Sequence, residues 1–231
     1  NRAFVHRVKT GRPWGLLKWA MSLDGRTALP NGASQWISGA AARAWVHRLR
    51  AHCDAVIVGG GTVRADDPLL TSRGLRTPEP LRVVLSRSLD LPAAARLWTT
   101  AEALTLLAHG PAVEATDGES APLLESLGAA GVITTALPRC EPLALLEQLA
   151  SRGCNRVLWE CGPALAAAAL QQDCVQELAV VIAPKLLGGL AARTPLGELG
   201  FMAMDQVIPL QGLTLQRLER DVVVQSLVPP L

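Results

Sequence analysis

Polar and glycine residues in this chain gather where short apolar runs end, which is where an open α/β sheet presents groups to a ligand. The informative segments are Lys18-Trp19-Ala20-Met21-Ser22-Leu23-Asp24-Gly25, Ser34-Gln35-Trp36-Ile37-Ser38, Val58-Gly59-Gly60-Gly61-Thr62, Asp66-Asp67-Pro68-Leu69-Leu70-Thr71-Ser72-Arg73 and Trp159-Glu160-Cys161-Gly162-Pro163. Gly59 to Gly61 let backbone N–H groups approach a phosphate or ribose without a Cβ in the way, and Thr62 adds a hydroxyl. Their spacing matches neither the dinucleotide fingerprint nor the P-loop, so taken alone the run reads more readily as a turn than as a ligand site.

At Glu160 an apolar run delivers a carboxylate to its end, Gly162 opens the backbone, and Pro163 fits the first turn of a helix. The unpaired amides and positive dipole of such a helix end suit a pyrophosphate, although an ordinary strand-to-helix turn with a surface carboxylate fits the same residues. A further helix is expected to open at Ser38 as its N-cap, with Arg43, His47 and Arg50 on one face and Ala42, Trp45 and Leu49 packed inward. Arg50 suits a substrate phosphate, while Arg43 and Arg48 read as solvated charge. Pro68 keeps Asp67 out of helical geometry, so Asp66 to Arg73 should form a fixed bend.

Other chemistries find no support. There is no G-x-S-x-G, and the histidines His6, His47, His52 and His109 show no partner pattern. The paired signature of zinc deaminases is missing from the sequence, and no metal ligands are expected. Five cysteines without C-x-x-C spacing read as reduced thiols.

The elements that must position these groups follow from periodicity. Strands are expected at residues 15–21, 54–58, 81–85, 104–108, 131–135, 156–159 and 177–183, with helices near 40–52, 121–128, 142–152 and 163–171 between them. Strand–helix alternation predicts a three-layer α/β/α fold around a mostly parallel mixed sheet, and consecutive runs at 211–218 and 221–228 predict an antiparallel C-terminal hairpin. Residues 1–14, polar and basic with Gly11 and Pro13, read as a linker remnant ahead of one domain over 15–231.

Composition bounds the function. An apolar fraction of 49% over 231 residues supports a substantial core, and a net charge of +2 offers no nucleic-acid track. No apolar run is long enough for a membrane span and no signal-type leader is visible, so the expected location is cytoplasmic.

In order along the chain, Lys18-x-Ala20-x-Ser22-Leu23-Asp24-Gly25, Gly32-x-Ser34-x-Trp36-Ile37-Ser38, Leu49-Arg50-Ala51, Val58-Gly59-x-Gly61-Thr62-Val63-x-Ala65-Asp66-Asp67-Pro68-x-Leu70-Thr71-x-Arg73, Glu160-x-Gly162-Pro163 and Ala183-Pro184-Lys185-Leu186-Leu187-Gly188-Gly189 closely resemble the reductase domain of bacterial bifunctional riboflavin-biosynthesis deaminase/reductases. Asn1-Arg2-x-Phe4-x-His6-Arg7 resembles that family's interdomain linker.

The resemblance implies a dihydrofolate-reductase-like fold, a homodimer, a zinc deaminase upstream or in trans, and NADPH-dependent reduction of 5-amino-6-(5-phosphoribosylamino)uracil to its ribitylamino product. It implies dinucleotide contacts from Ala20, Trp36, Thr62, Asp66, Ser86 and the segment Gly162, Pro163, Ala164, Leu165, Ala166, Ala167 and Ala168, to which the glycine reading adds Gly59 and Gly61. It implies substrate contacts from Ser34, Arg50, Leu70, Arg73 and Glu160, and Arg50 and Arg73 are also the bidentate donors that a ribose phosphate needs. Lys18, Asp24 and Glu160 are the expected catalytic groups, organising ring opening and proton traffic. Ser86 and Arg87, just after the run 81–85, are the expected readers of the adenosine 2′-phosphate. Two rival readings are a related reductase of pyrimidines or pterins and a catalytically silent nucleotide-binding module that partners a deaminase.

Overall fold

The computed structural model describes residues 1–111 and 121–230. Contacts divide the chain into two compact units, each assembled from two separate stretches: residues 1–14 with 47–158, and residues 15–46 with 159–231. Because neither unit is continuous in sequence, composition along the chain carries no mark of the division.

The first unit contains helix α1 (Arg2–Thr10), strand β2 (Ala55–Gly59), helix α3 (Gly60–Asp66), β3 (Leu81–Ser86), β4 (Thr105–His109), helix α4 (Ala121–Ala129), β5 (Ile133–Ala136), helix α5 (Pro142–Ser151) and nearly all of β6 (Arg156–Trp159). Its strands lie in the order β5-β4-β3-β2-β6. Ala55 to Val58 have no exposed surface, the pattern of a parallel strand covered on both faces. Parallel registers pair Gly59 with Leu85, Ser86 with His109 and His109 with Ala136, so these strands finish along one carboxyl edge.

The second unit contains nearly all of β1 (Trp14–Ser22), helix α6 (Pro163–Gln171), β7 (Glu177–Ala183), β8 (Gln211–Leu218) and β9 (Asp221–Leu227). Its strand order is β1-β7-β9-β8, with β1 and β7 parallel and both contacts of β9 antiparallel. Parallel pairing aligns Ser22 with Ala183, so the turns that follow these two strands leave from the same edge. Helix α2 (Ala40–Ala51) begins in the second unit and ends in the first. Gly15 is fixed by packing, since a Cβ there would stand 1.9 Å from the carbonyl oxygen of Cys174.

The expected α/β class, its mostly parallel strands and the antiparallel C-terminal hairpin are present. Residues 2–10, within the stretch 1–14 expected as a linker, form α1. Gly11, at φ 73°, ends that helix by returning its N–H to Arg7 O. None of its residues is buried, and Phe4, Val5 and Val8 are exposed. The glycine run is also helical rather than a free loop, because α3 starts at Gly60. No helix among the described residues is long and apolar enough to cross a membrane, and their five cysteines are all free.

Candidate active site

In the second unit, Lys18 from β1 and Glu160 beyond β6 form an ion pair with Nζ to Oε2 at 3.7 Å. Their side chains are only 15% and 10% exposed, so both charges are shielded from water. Two oppositely charged groups in a partly dry setting attract each other more strongly than they would in water, and the pair sets a nitrogen donor beside a carboxylate acceptor.

Asp24, the third expected catalytic group, is placed differently. Its carboxylate accepts hydrogen bonds from Ser22 Oγ, from Leu187 N at 3.1 Å and from Gly188 N at 2.7 Å. The Ser22 hydroxyl first, then the Gly188 and Leu187 amides, push its pKa down to about 2. A carboxylate held so low stays ionised near neutrality, and its geometry ties the turn after β1 to the stretch after β7.

Trp36 and Ser34 lie in the segment between β1 and α2, Ser34 half-buried and Trp36 exposed at 62%. Arg43 is not solvated charge. It stacks 4.6 Å from the Trp36 ring centroid and donates to Ser38 O at 2.7 Å. The first turn of α2 folds its guanidinium back over the preceding segment, a contact that helical periodicity does not reveal. Gly39, rather than Ser38, directly precedes α2, and its N–H is taken by Asp221 at 2.6 Å. Arg48 is exposed, and Ala42, Trp45 and Leu49 are buried as expected.

In the first unit, the expected bend is present and tightly held. Asp67, Leu70 and Arg73 adopt left-handed backbone at φ 38°, 56° and 58°, a conformation that non-glycine residues adopt at a cost. Arg50 Nη1 donates to Thr71 O at 3.0 Å, and His47 Nδ1 lies 3.3 Å from the same oxygen. The structure therefore brings Arg50 and the Leu70–Arg73 bend together.

Glu79 completes the bend by accepting from Ser72 N at 2.6 Å and Gly74 N at 2.8 Å. Burial alone would raise its pKa, but the Gly74 and Ser72 hydrogen bonds and the Arg50 charge outweigh that and hold it below the usual carboxylate range. Sequence reading missed Glu79, whose only local signal is its place between Pro78 and Pro80. Leu70 is 2% exposed, whereas Arg73 is exposed and lines a groove of about 900 Å³. Asp54, Leu81, Leu104 and Ile133, at the amino-terminal starts of the strands, line it too.

At the carboxyl edge of the same unit, Gly59 precedes α3, Gly61 is exposed and Thr62 is half-buried. Gly60 owes its identity to packing, since a Cβ would meet Ser86 Oγ at 3.1 Å and Leu91 Cδ2 at 3.3 Å. Ser86 is accordingly buried at 4%, while Arg87 and Asp66 are exposed.

Gly162 is the N-cap of α6, with extended backbone and no side-chain cap, and Pro163 stands in the first turn. A helix end left uncapped by side chains is suited to an anionic diphosphate. Ala164 is exposed and Leu165 and Ala168 are half-buried, but Ala166 and Ala167 face inward at 1% and 4% exposure and have little surface for a ligand. Ala20 lies within β1 opposite Val181. No cluster of metal-ligating side chains occurs among the described residues.

Comparison with known proteins places this geometry in context. The family model described as RibD C-terminal domain matches residues 13–224. The riboflavin biosynthesis protein RibD of Synechocystis is 47% identical over 96% of this chain, and the chloroplastic riboflavin biosynthesis protein PYRR of Zea mays is 38% identical over all of it. The chain spans 58% and 36% of those two relatives. Among solved structures, Acinetobacter baumannii RibD matches with a TM-score of 0.84 at 32% identity, over 99% of this chain and 62% of the other. A diaminohydroxyphosphoribosylaminopyrimidine deaminase/5-amino-6-(5-phosphoribosylamino)uracil reductase from Thermotoga maritima matches with a TM-score of 0.78 at 26% identity, covering 99% of this chain and 60% of that one.

Proposed function

The chain belongs to the RibD C-terminal domain family, and from that premise we propose that it reduces 5-amino-6-(5-phosphoribosylamino)uracil to the ribitylamino product with NADPH. The observation that carries this reading is the shielded Lys18–Glu160 pair, set in a chain that also carries an uncapped α6 terminus and the Arg50–Arg73 bend.

NADPH, when bound, would supply the hydride that the anomeric carbon of the sugar needs, and a group of this chain would supply the proton for the adjoining nitrogen. The residues that would hold it are Trp36, Gly61, Thr62, the first turn of α6 and, for the adenosine 2′-phosphate, Arg87. Lys18 would donate that proton, and Glu160, 3.7 Å from its ammonium, would orient it. Arg50, from α2, and Arg73, from the bend whose amides Glu79 holds, would offer guanidinium donors to the substrate phosphate. Asp24 acts by fixing loops rather than by moving a proton.

Two copies of this chain are proposed to associate through β8. Each residue from Gln211 to Arg217 is exposed, with Leu213 and Leu215 at 60% and 67%, and an uncovered apolar edge strand invites a second strand. A zinc deaminase, in the same polypeptide or in trans, is the proposed partner that supplies the substrate, and the cytoplasm is the proposed location.

The test is turnover of the deaminated phosphoribosylaminopyrimidine with NADPH, beside the same compound without its phosphate. Full activity on the dephosphorylated compound would instead favour the rival pterin or pyrimidine reductase. NADPH binding without any turnover would favour the silent module.

A further inference from the structure

The segment from Ser34 to Gly39 has no helix or strand of its own, and Trp36 at its centre is 62% exposed. An indole in so open a place holds one orientation only if its surroundings impose it, because ordering it costs conformational freedom.

Three charged residues of the second unit, one from a helix, one from a strand and one from a loop, supply that restraint. Lys185, two residues after β7, donates from Nζ to Trp36 O at 2.6 Å. Arg43, in the first turn of α2, lies 4.6 Å from the indole centroid and donates to Ser38 O at 2.7 Å. Asp221, the first residue of β9 and 1% exposed, accepts from Gly39 N at 2.6 Å. Glycine is the residue suited to position 39, where a Cβ would stand 3.2 Å from that carboxylate oxygen. Lys185 is itself fixed: Leu23 N donates to its carbonyl at 2.9 Å, and Asp24 holds the amides of Leu187 and Gly188 just beyond it.

We propose that Lys185, Arg43 and Asp221 are positioning residues that clamp Trp36, so that the indole keeps one face under a cation and turns the other toward a flat ring of the bound dinucleotide. A cation over one face polarises the ring system, and this guanidinium together with the ammonium on the Trp36 carbonyl raises the local potential for an anionic ligand. The identity of the ligand rests on the reductase reading. The clamp is a property of this chain alone.

Two measurements test the clamp and separate its failure from that of the reductase reading. The first is fluorine NMR of protein labelled with fluorotryptophan, in which the six tryptophans give resolvable signals and Trp36→Phe assigns one of them. In Lys185→Met and in Arg43→Gln the Trp36 signal is expected to shift and sharpen toward that of a mobile side chain. The other five should stay in place, and Lys185→Arg, which keeps a cationic donor, should restore the native signal. An unchanged Trp36 signal in both Lys185→Met and Arg43→Gln overturns the clamp, whatever the enzyme does.

The second measurement is NADPH affinity by direct titration. Lys185→Met should weaken binding about tenfold in the wild-type background and add little once Trp36→Ala is present, because the lysine acts through the indole. Equal losses in both backgrounds would overturn the positioning role. A wild-type protein that fails to bind NADPH would refute the reductase reading, while the fluorine signals would still decide the clamp.

Discussion

The ammonium of Lys18 stands 3.7 Å from a carboxylate oxygen of Glu160, with both side chains mostly withdrawn from water. Removing either partner strands a shielded charge, whereas removing both does not. Glu160→Gln and Lys18→Met are each expected to lower kcat by about a hundredfold or more, as loss of a proton-transfer group does, with NADPH affinity little changed. Lys18→Met combined with Glu160→Leu should unfold at a higher temperature than either single variant yet remain inactive. Thermal melts and steady-state kinetics on the four proteins check both outcomes.

Glu79 governs how the bend presents Arg73. Its pKa lies below the ordinary value, so the stability it contributes is complete above the unfolded carboxyl pKa and is lost as pH falls through the folded one. Hydrogen exchange at Ser72 and Gly74 amides should therefore quicken on acidification, and Glu79→Gln should show the faster exchange already at neutral pH. The same variant is expected to raise the substrate KM about tenfold by loosening the arginine-bearing bend. Slow exchange in Glu79→Gln would show that the bend is held by other contacts.

Asp24 is expected to titrate at about 2, below its ordinary 3.8. Because the folded value is the lower one, the hold on Leu187 and Gly188 is fully present above 3.8 and disappears only as pH falls through about 2. Carbon NMR of the labelled aspartates reads the midpoint directly. A midpoint near 6, as a proton-shuttling group requires, would return Asp24 to the catalytic role that its motif suggested.

Gly15→Ala places a methyl group 1.9 Å from the Cys174 carbonyl oxygen, which is backbone and has nowhere to move. The substitution should cost about 3 kcal/mol or more, the range of severe overpacking, and urea denaturation measures it. Gly61→Ala, whose nearest neighbour would be Arg64 at 4.0 Å, should leave stability nearly unchanged and so isolates any effect on cofactor binding.

These contrasts show what the sequence could carry. Runs such as Ala55 to Val58 announce buried parallel strands because every residue in them is apolar. The Asp66–Arg73 bend is legible too, since Pro68 restricts the backbone ahead of it. Helix α1 stayed hidden because basic residues with Gly11 and Pro13 just beyond read as a linker, which masked the spacing of Phe4, Val5 and Val8. The ties from Asp24 to Leu187 and Gly188 were not legible either, because a motif gives residue types and not hydrogen-bond partners. Gly39 meets Asp221 across 182 positions and Trp36 meets Lys185 across 149, and no periodicity encodes such meetings. They exist only after β1, β7 and β9 have paired.

The most direct test of the proposed activity is to add 5-amino-6-(5-phosphoribosylamino)uracil to the purified protein with NADPH and follow the nicotinamide absorbance. The expected result is stoichiometric loss of reduced nicotinamide, slowed about a hundredfold or more in Glu160→Gln and sharply slower when the substrate phosphate is removed. Steady absorbance with saturating substrate, in a protein that binds NADPH, would contradict it.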